Sequence, residues 1–289
     1  MERVLRPASL DEALAMLAEY PRARPVAGGT DLVVQLRDGR RRADTLLELG
    51  AVGLSGIRER DGGVEIGAAT PMDAIARHPE IRRRWPGVAQ AAGVIGAWPI
   101  QCRATLGGNL ANASPAADTA PALLVTDALI NVASRWASRV VPVDAFFLAP
   151  GRTVLGPEEL ITAVFLPPPP EGRRVERFSK VGPRREQIIA TVSMAGRATV
   201  RGDGSLADVR LAFGAVAPTP VRARRTEEFL ALRRPDPATR RETARKIQAE
   251  IAPIDDVRAP ASYRRVAAAV LVDRFLAECG AIARGASGG

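Results

Sequence analysis

Cysteine, histidine, lysine and aromatic side chains are all scarce in this sequence of 289 residues, and each shortage removes a class of chemistry. Two cysteines, Cys102 and Cys279, are too few for a disulfide framework and too far apart for a zinc knuckle. An iron–sulfur cluster normally takes four thiolates, so this chain alone cannot hold one. His78 is the sole histidine, and any Ser-His-Asp or Cys-His mechanism would have to run through it. Its setting, "ARHPEIRRR", reads instead as the polar end of a surface helix. Aromatics make up 4% of the chain, too few to serve as stacking platforms for single-stranded nucleic acid. No uncharged apolar run reaches the roughly 20 residues of a bilayer span; "GVAQAAGVIGAWPI" comes nearest and stops short. The opening "MERVLRPASLDEAL" has neither the apolar block nor the cleavage site of a secretory signal, so the cytoplasm is the expected compartment.

What remains is a chain with 46% hydrophobic residues and a formal charge of +9, long enough for about two domains. The positive charge is almost wholly arginine, since Lys180 and Lys246 are the only lysines. Arginines are scattered among acids, with denser clusters at 37–42, 82–84 and 222–225. A solvated surface or contact with acidic partner subunits accounts for them better than nucleic acid does, because charge alone is a non-specific signal.

Along the chain, Ser9 and Glu12 form a capping box ahead of a helix carrying Leu10, Leu14 and Leu17, which Pro21 ends. "RPVAGG" reads as a short strand entering a glycine turn, and "TLLELG" and "GGVEIG" continue in β style. Thr70-Pro71 is expected to cap the next helix, with the hydroxyl as cap, and residues 87–98 form an apolar helix candidate. "LINVASRWASRVVPV" is a hairpin candidate and "ELITAVFL" a strand. Four prolines at 167–170 can neither continue a helix nor occupy a central strand, so a domain edge belongs there. The expected division is 1–170, with subdomains of about 1–55 and 56–170, then 171–285 and a frayed tail at 286–289. In the second part, three β-rich segments suggest an antiparallel sheet, and three helices follow. In the last helix Tyr263, Val266, Ala267, Val270 and Phe275 are expected to face a core. "GDGSLA" at 202–207 fits a dinucleotide fingerprint, but β-like sequence on both sides makes it a hairpin turn.

Two glycine-rich stretches carry the chemistry: "PVAGGTDLVVQL" at 25–36 and "RATLGGNLANASPAAD" at 103–118. Glycine tolerates positive φ and leaves no side chain between backbone and anion, so successive N–H groups can hold a diphosphate without lysine. Gly28-Gly29 and Gly107-Gly108 each suit such a cradle, and either pair alone also suits an ordinary turn. Thr30, Thr105, Asn109 and Ser114 add neutral hydrogen bonds, while Asp118 would repel phosphate yet accept from sugar-like hydroxyls. The pattern fits a ligand with a diphosphate and a polyol.

Taken together, "AGGTDLVVQLR" and "RATLGGNLANASPAADTAPALL" resemble the two FAD loops of the flavoprotein subunit of molybdenum hydroxylases, the aerobic carbon monoxide dehydrogenase and xanthine dehydrogenase type. "KVGPRREQIIATVSMA" and "IDDVRAPASYRRVAAAVLVDRFL" extend the resemblance over nearly the whole chain. It implies an α+β fold: an FAD-binding domain of vanillyl-alcohol-oxidase type with two subdomains, then a smaller C-terminal domain of antiparallel sheet and helices. By position it implies that Pro25, Val26, Ala27, Gly28, Gly29, Thr30, Asp31 and Leu32 form the first pyrophosphate loop. Thr105, Gly108 and Asn109 match the second loop, and Asp118 the acid near the ribityl chain. Ile161 falls where the family has an apolar residue near the flavin, and Lys180 where some members have a flavin-proximal lysine. Lys180 reads equally as a strand-edge charge; beside the flavin, a cation would favour the anionic reduced form.

The implied function is electron transfer. A molybdenum-cofactor large subunit oxidises substrate, a small subunit with [2Fe–2S] clusters relays electrons, and this chain passes them through FAD to an external acceptor. A dimer of heterotrimers is the implied assembly, with no catalytic acid or base and no metal site in this chain. Two other readings stay open from the residues: a self-sufficient FAD-dependent oxidase of a small alcohol, and a basic nucleic-acid-binding protein.

Overall fold

The computed structural model describes residues 3–184 and 187–285, so the expected tail at 286–289 lies outside the described residues. The chain opens with β1 (Arg3–Leu5), α1 (Leu10–Glu19), β2 (Arg24–Val26), α2 (Leu32–Arg37) and β3 (Thr45–Glu48). These strands form a parallel sheet in the order β1-β3-β2. The capping box is present: Glu12 N–H donates to Ser9 Oγ at 3.2 Å and Glu12 accepts from Ala8 N–H at 2.7 Å. Leu14 and Leu17 are buried against Leu47 and Leu160.

Next come β4 (Ile57–Arg60), β5 (Gly63–Gly67) and six short helices. They are α3 (Met72–Arg77), α4 (Pro79–Arg84), α5 (Pro86–Ala92), α6 (Trp98–Gln101), α7 (Leu106–Asn112) and α8 (Thr119–Val125). β6 (Leu129–Ala133), β7 (Ser138–Pro142), β8 (Phe147–Ala149), β9 (Arg152–Thr153) and β10 (Leu160–Leu166) follow. The five-stranded antiparallel sheet runs β4-β5-β10-β6-β7, with the expected hairpin as β6–β7.

Two local expectations fail here. The Thr70 hydroxyl does not cap α3; it hydrogen-bonds the Gly56 N–H at 2.9 Å and carbonyl at 3.0 Å, because a tertiary partner outcompetes the local one. The apolar run at 87–98 does not stay helical either. α5 stops at Ala92, Gly96 adopts φ +56, and a separate turn of helix starts at Trp98 with Pro99 second in it, so the segment bends into the crevice wall described below.

After the four prolines the chain builds β11 (Arg173–Val181), β12 (Val192–Val200), β13 (Leu206–Gly214), β14 (Val221–Arg222), α9 (Arg224–Leu230), α10 (Pro237–Glu250) and α11 (Ala261–Gly285). The strands form an antiparallel sheet in sequence order, and "GDGSLA" is the β12–β13 turn, with Gly204 at φ +81. α11 packs on this sheet through Ala267, Ala268, Leu271, Val272, Phe275, Leu276 and Cys279. Tyr263, Val266 and Val270, expected in the core, are exposed instead. The phase is fixed by Arg264, whose buried guanidinium donates to the carbonyls of Thr191 and Ala215, both at 2.8 Å, so its neighbour Tyr263 turns outward. The fold is thus α+β with an antiparallel C-terminal sheet, as expected.

This sheet is fastened to α5 and α8. Glu176 accepts from the Gly87 N–H at 3.0 Å, Phe178 N–H donates to Gln90 Oε1 at 2.8 Å, and buried Trp85 donates its indole N–H to the Pro167 carbonyl at 3.1 Å. Those contacts bring Lys180 on β11 beside Asp118, just ahead of α8.

Candidate functional site

The first glycine stretch leaves the end of β2 and turns into α2. Gly29 adopts φ +71, the left-handed region that suits glycine, while Gly28 is required for a different reason. A Cβ on Gly28 would lie 1.8 Å from the Arg103 carbonyl oxygen and 3.2 Å from Ala104 Cα. Two segments some 75 residues apart in sequence therefore meet backbone to backbone, with room for hydrogen alone. A second tie, Gln35 Nε2 to Asn112 Oδ1 at 3.3 Å, joins α2 to α7.

Between these segments lies a crevice of about 1480 Å³. Every site residue anticipated from the sequence lines it except Gly107, Ile161 and Lys180. The two stretches are not equivalent, however. Among the described residues, the N–H groups of Ala27, Gly28, Gly29, Thr30 and Asp31 meet no acceptor, and all five residues line the crevice. Successive unpaired backbone donors of this kind form an anion-binding concavity. In the second stretch the N–H groups of the glycine turn are already used: Leu106 donates to Thr70 O at 3.2 Å, Gly107 to Ala68 O at 2.8 Å and Gly108 to Thr105 Oγ1 at 3.2 Å, while among the described residues those of Thr105, Ser114 and Asp118 meet no acceptor but are not consecutive. The expectation of two equivalent backbone cradles is corrected on this point, because residues 106–108 form the capped first turn of α7.

Gly107 is needed for packing, since a Cβ there would lie 2.7 Å from the Ala68 Cβ. Ile161 is buried in β10 opposite Val132 and lies in the core, away from the crevice wall. The wall on that side is formed by the chain entering β10, at Leu155, Gly156 and Glu159. Asn109 faces the crevice with its amide oxygen accepting from the Thr119 hydroxyl. Ser114 lines it too, its hydroxyl accepting from Ala116 N–H at 3.3 Å.

Asp118 and Lys180 form a buried pair, Oδ2 to Nζ at 2.6 Å, and Lys180 also donates to the Val94 carbonyl at 3.3 Å. Lys180 is thus neither a free strand-edge charge nor an open cation; it is spent on Asp118. The other carboxylate oxygen, Asp118 Oδ1, is buried with no hydrogen-bond partner. Burial pushes the Asp118 carboxyl up to about 6, against the opposing pull of Lys180. A buried acceptor left unpaired costs about 1–3 kcal/mol, so a hydroxyl supplied from the crevice has a strong place to donate.

Sequence reasoning missed three further parts of the wall. Ile95, Gly96, Ala97 and Ile100 come from the broken apolar run, Gln187, Ile188 and Ile189 from the loop after β11, and Arg24, Arg41 and Arg42 from the flanks of the first stretch. Only the arginines left a sequence signal, as a cluster.

Unpaired amides able to take a phosphate and an unpartnered carboxylate oxygen able to take a hydroxyl thus share one crevice. Residues 1–169 match the family model of the FAD binding domain in molybdopterin dehydrogenase, and residues 177–279 that of the CO dehydrogenase flavoprotein C-terminal domain. The chain belongs to this flavoprotein family. The xanthine dehydrogenase FAD-binding subunit of Escherichia coli O157:H7 is 29% identical over 97% of this chain and 96% of its own length. The glyceraldehyde dehydrogenase medium chain of Sulfolobus acidocaldarius is 30% identical over 95% of this chain and 96% of its own. Reconstituted CO dehydrogenase from Oligotropha carboxidovorans superposes with a TM-score of 0.92 at 28% identity, covering 97% of this chain and 98% of the matched one. The flavoprotein is therefore a medium, FAD-binding subunit of the xanthine and CO dehydrogenase type, and FAD is its cofactor. Among the described residues no helix is long and apolar enough to cross a membrane, and no cluster of residues could hold a metal ion.

Proposed function

We propose that this subunit takes electrons from [2Fe–2S] clusters of a partner subunit and delivers them through FAD to an external acceptor. A molybdenum-cofactor subunit completes the assembly, which is a dimer of heterotrimers working in the cytoplasm. The observation that carries the cofactor site is the pairing of five free backbone amides at 27–31 with the unpartnered Asp118 Oδ1 across one crevice. Two cysteines in these 289 residues are too few to ligate a cluster, so the clusters lie outside them. Neither cysteine is in a disulfide, which suits a reducing compartment.

The chain's own residues bind and orient. The amides of Ala27 to Asp31 hold the diphosphate, with Gly28 keeping the Arg103 segment close enough to close the crevice. Asp118 Oδ1 accepts from hydroxyls of the ribityl chain, and Lys180 holds the carboxylate in place through Oδ2. Ile95, Ile100, Ile188 and Ile189 give the crevice an apolar wall against which the cofactor would pack. Bound there, FAD supplies a carrier that accepts electrons singly and releases them singly or in pairs. We place the domain division at the four prolines, between the five-stranded and the C-terminal sheets.

The test is reduction of the bound flavin under anaerobic conditions. With its co-purifying partner subunits, the flavoprotein's FAD bleaches on addition of the partner's substrate. Alone, it does not bleach with that substrate or with small alcohols. Bleaching of the isolated subunit by an alcohol would overturn the electron-transfer reading in favour of a self-sufficient oxidase.

A further inference from the structure

The arginine cluster at 37–42 divides into two sets with different surroundings. Arg37 and Arg40 share Asp38 on the surface, at 3.2 and 2.9 Å, so their charge is partly offset. Arg41 and Arg42 line the FAD crevice together with Arg24. Among the described residues none of these three guanidinium groups has a carboxylate partner or a hydrogen-bond acceptor. The geometry that separates the sets is local. Gly39, at φ +69, ends α2 with its N–H donating to Leu36 O at 3.2 Å. The chain doubles back, Arg41 N–H bonds the Gln35 carbonyl at 3.1 Å, and the side chains of Arg41 and Arg42 reach the crevice wall.

The acids of the same crevice do not compensate. Asp118 is held by Lys180 at 2.6 Å, and Glu159 by Arg139 in a two-pronged pair with both distances 2.7 Å. Asp31 alone lacks a cationic partner, and it accepts from the Gln35 side-chain amide. The wall beside the free amides of the first stretch is therefore positive, in a cleft where fields are focused and screening is weaker than on an open surface.

Resting on the FAD reading above, we propose that Arg41 and Arg42, together with Arg24, recognise the diphosphate of the flavin dinucleotide. The backbone amides supply geometry and the arginines supply charge. The division of labour explains how a crevice containing three carboxylates accepts a dianion. It also gives the 37–42 cluster a function that nucleic-acid binding does not need to fill.

The experiment uses the full-length chain stripped of flavin, titrated with FAD, ADP and riboflavin at roughly 0.02 M and 0.5 M salt. For R41Q/R42Q the expected result is FAD and ADP affinity weaker by roughly tenfold at low salt, converging to within about twofold of wild type at high salt. Riboflavin, which lacks phosphate, binds equally to both. R41K/R42K keeps most of the salt dependence, and R37Q/R40Q behaves as wild type. The proposal is overturned if R41Q/R42Q keeps wild-type FAD affinity and salt dependence, or if riboflavin binding falls by the same factor as FAD binding. A wild-type chain that binds no FAD at all would overturn the cofactor reading itself, and this inference with it.

Discussion

Replacing Gly28 by alanine tests the closure of the crevice with a single methyl group. The added Cβ would sit 1.8 Å from the Arg103 carbonyl oxygen, and real Cβ atoms essentially never come within 3.0 Å of a neighbour, so one segment must retreat by about 1.2 Å. The obstacle is backbone on both sides, so no side-chain rotation relieves it. Overpacking of this kind costs typically about 1–3 kcal/mol, and the same displacement carries the free amides away from Asp118. Since 1.4 kcal/mol is a factor of ten, FAD affinity should fall by roughly tenfold to a hundredfold. Flavin-fluorescence titration reads that loss directly, and the melting temperature of the flavin-free chain should fall as well. Gly53→Ala is the control: φ is +75 there but nothing lies within 4 Å and the residue is away from the crevice, so it carries backbone strain without a clash and should leave FAD binding nearly intact. A Gly28→Ala chain with wild-type flavin affinity and wild-type melting temperature would refute the claim that the two segments must touch.

The remaining predictions concern charge. Asp118 titrates near 6 when folded and near 3.8 in the open chain, so the stability it contributes is full below 3.8 and is lost as pH rises to about 6, a difference of about 3 kcal/mol. Hydroxyl donors favour the ionised form, so FAD affinity should rise between pH 5 and 7 by roughly tenfold; Asp118→Asn should flatten that profile, and an unchanged slope would remove Asp118 from the site. Lys180→Met strands a buried carboxylate and should destabilise the chain by about 3 kcal/mol at pH 8 with loss of flavin, whereas Lys180→Arg should keep part of both. Glu176 is pushed up to about 7 by burial, which outweighs the pull of Arg174, the Gly87 N–H and Arg197. Its contribution is full below 4.5 and lost as pH rises to about 7, so Glu176→Gln should be more stable than wild type at pH 8 by up to about 3 kcal/mol, with the gap closing near pH 4. Melting curves across that range check it, and a gap independent of pH would contradict the assignment.

The sequence carried the fold further than it carried the geometry of the site. Strands with clear alternation, such as Leu129–Ala133, depend on local chemistry, and they fell where local chemistry put them. The failures came where a distant partner decided the outcome. Thr70 had a local role open to it as a cap, and the Gly56 backbone took its hydroxyl instead. Tyr263 fitted a helical stripe, yet Arg264 reaching the carbonyls of Thr191 and Ala215 set the rotation of α11. At the site, both glycine pairs were legible as backbone features, but only tertiary structure distinguishes them. Gly28 is fixed by a carbonyl from residue 103, and Gly107-Gly108 begin a helix whose donors Ala68, Thr70 and Thr105 already satisfy. The Asp118–Lys180 pair spans 62 residues and joins two sheets' worth of structure, so no local pattern could announce it. Arg41 and Arg37 look alike in sequence and differ only in which of them finds Asp38.

Whether one crevice closes around one diphosphate is measured directly by a crystal structure of the FAD-loaded subunit. Phosphate oxygens are expected within hydrogen-bonding distance of the backbone N–H groups of residues 27–31, with a ribityl hydroxyl on Asp118 Oδ1. A diphosphate seated instead on the N–H groups of residues 106–108, with Asp118 Oδ1 still unpartnered, would contradict this expectation.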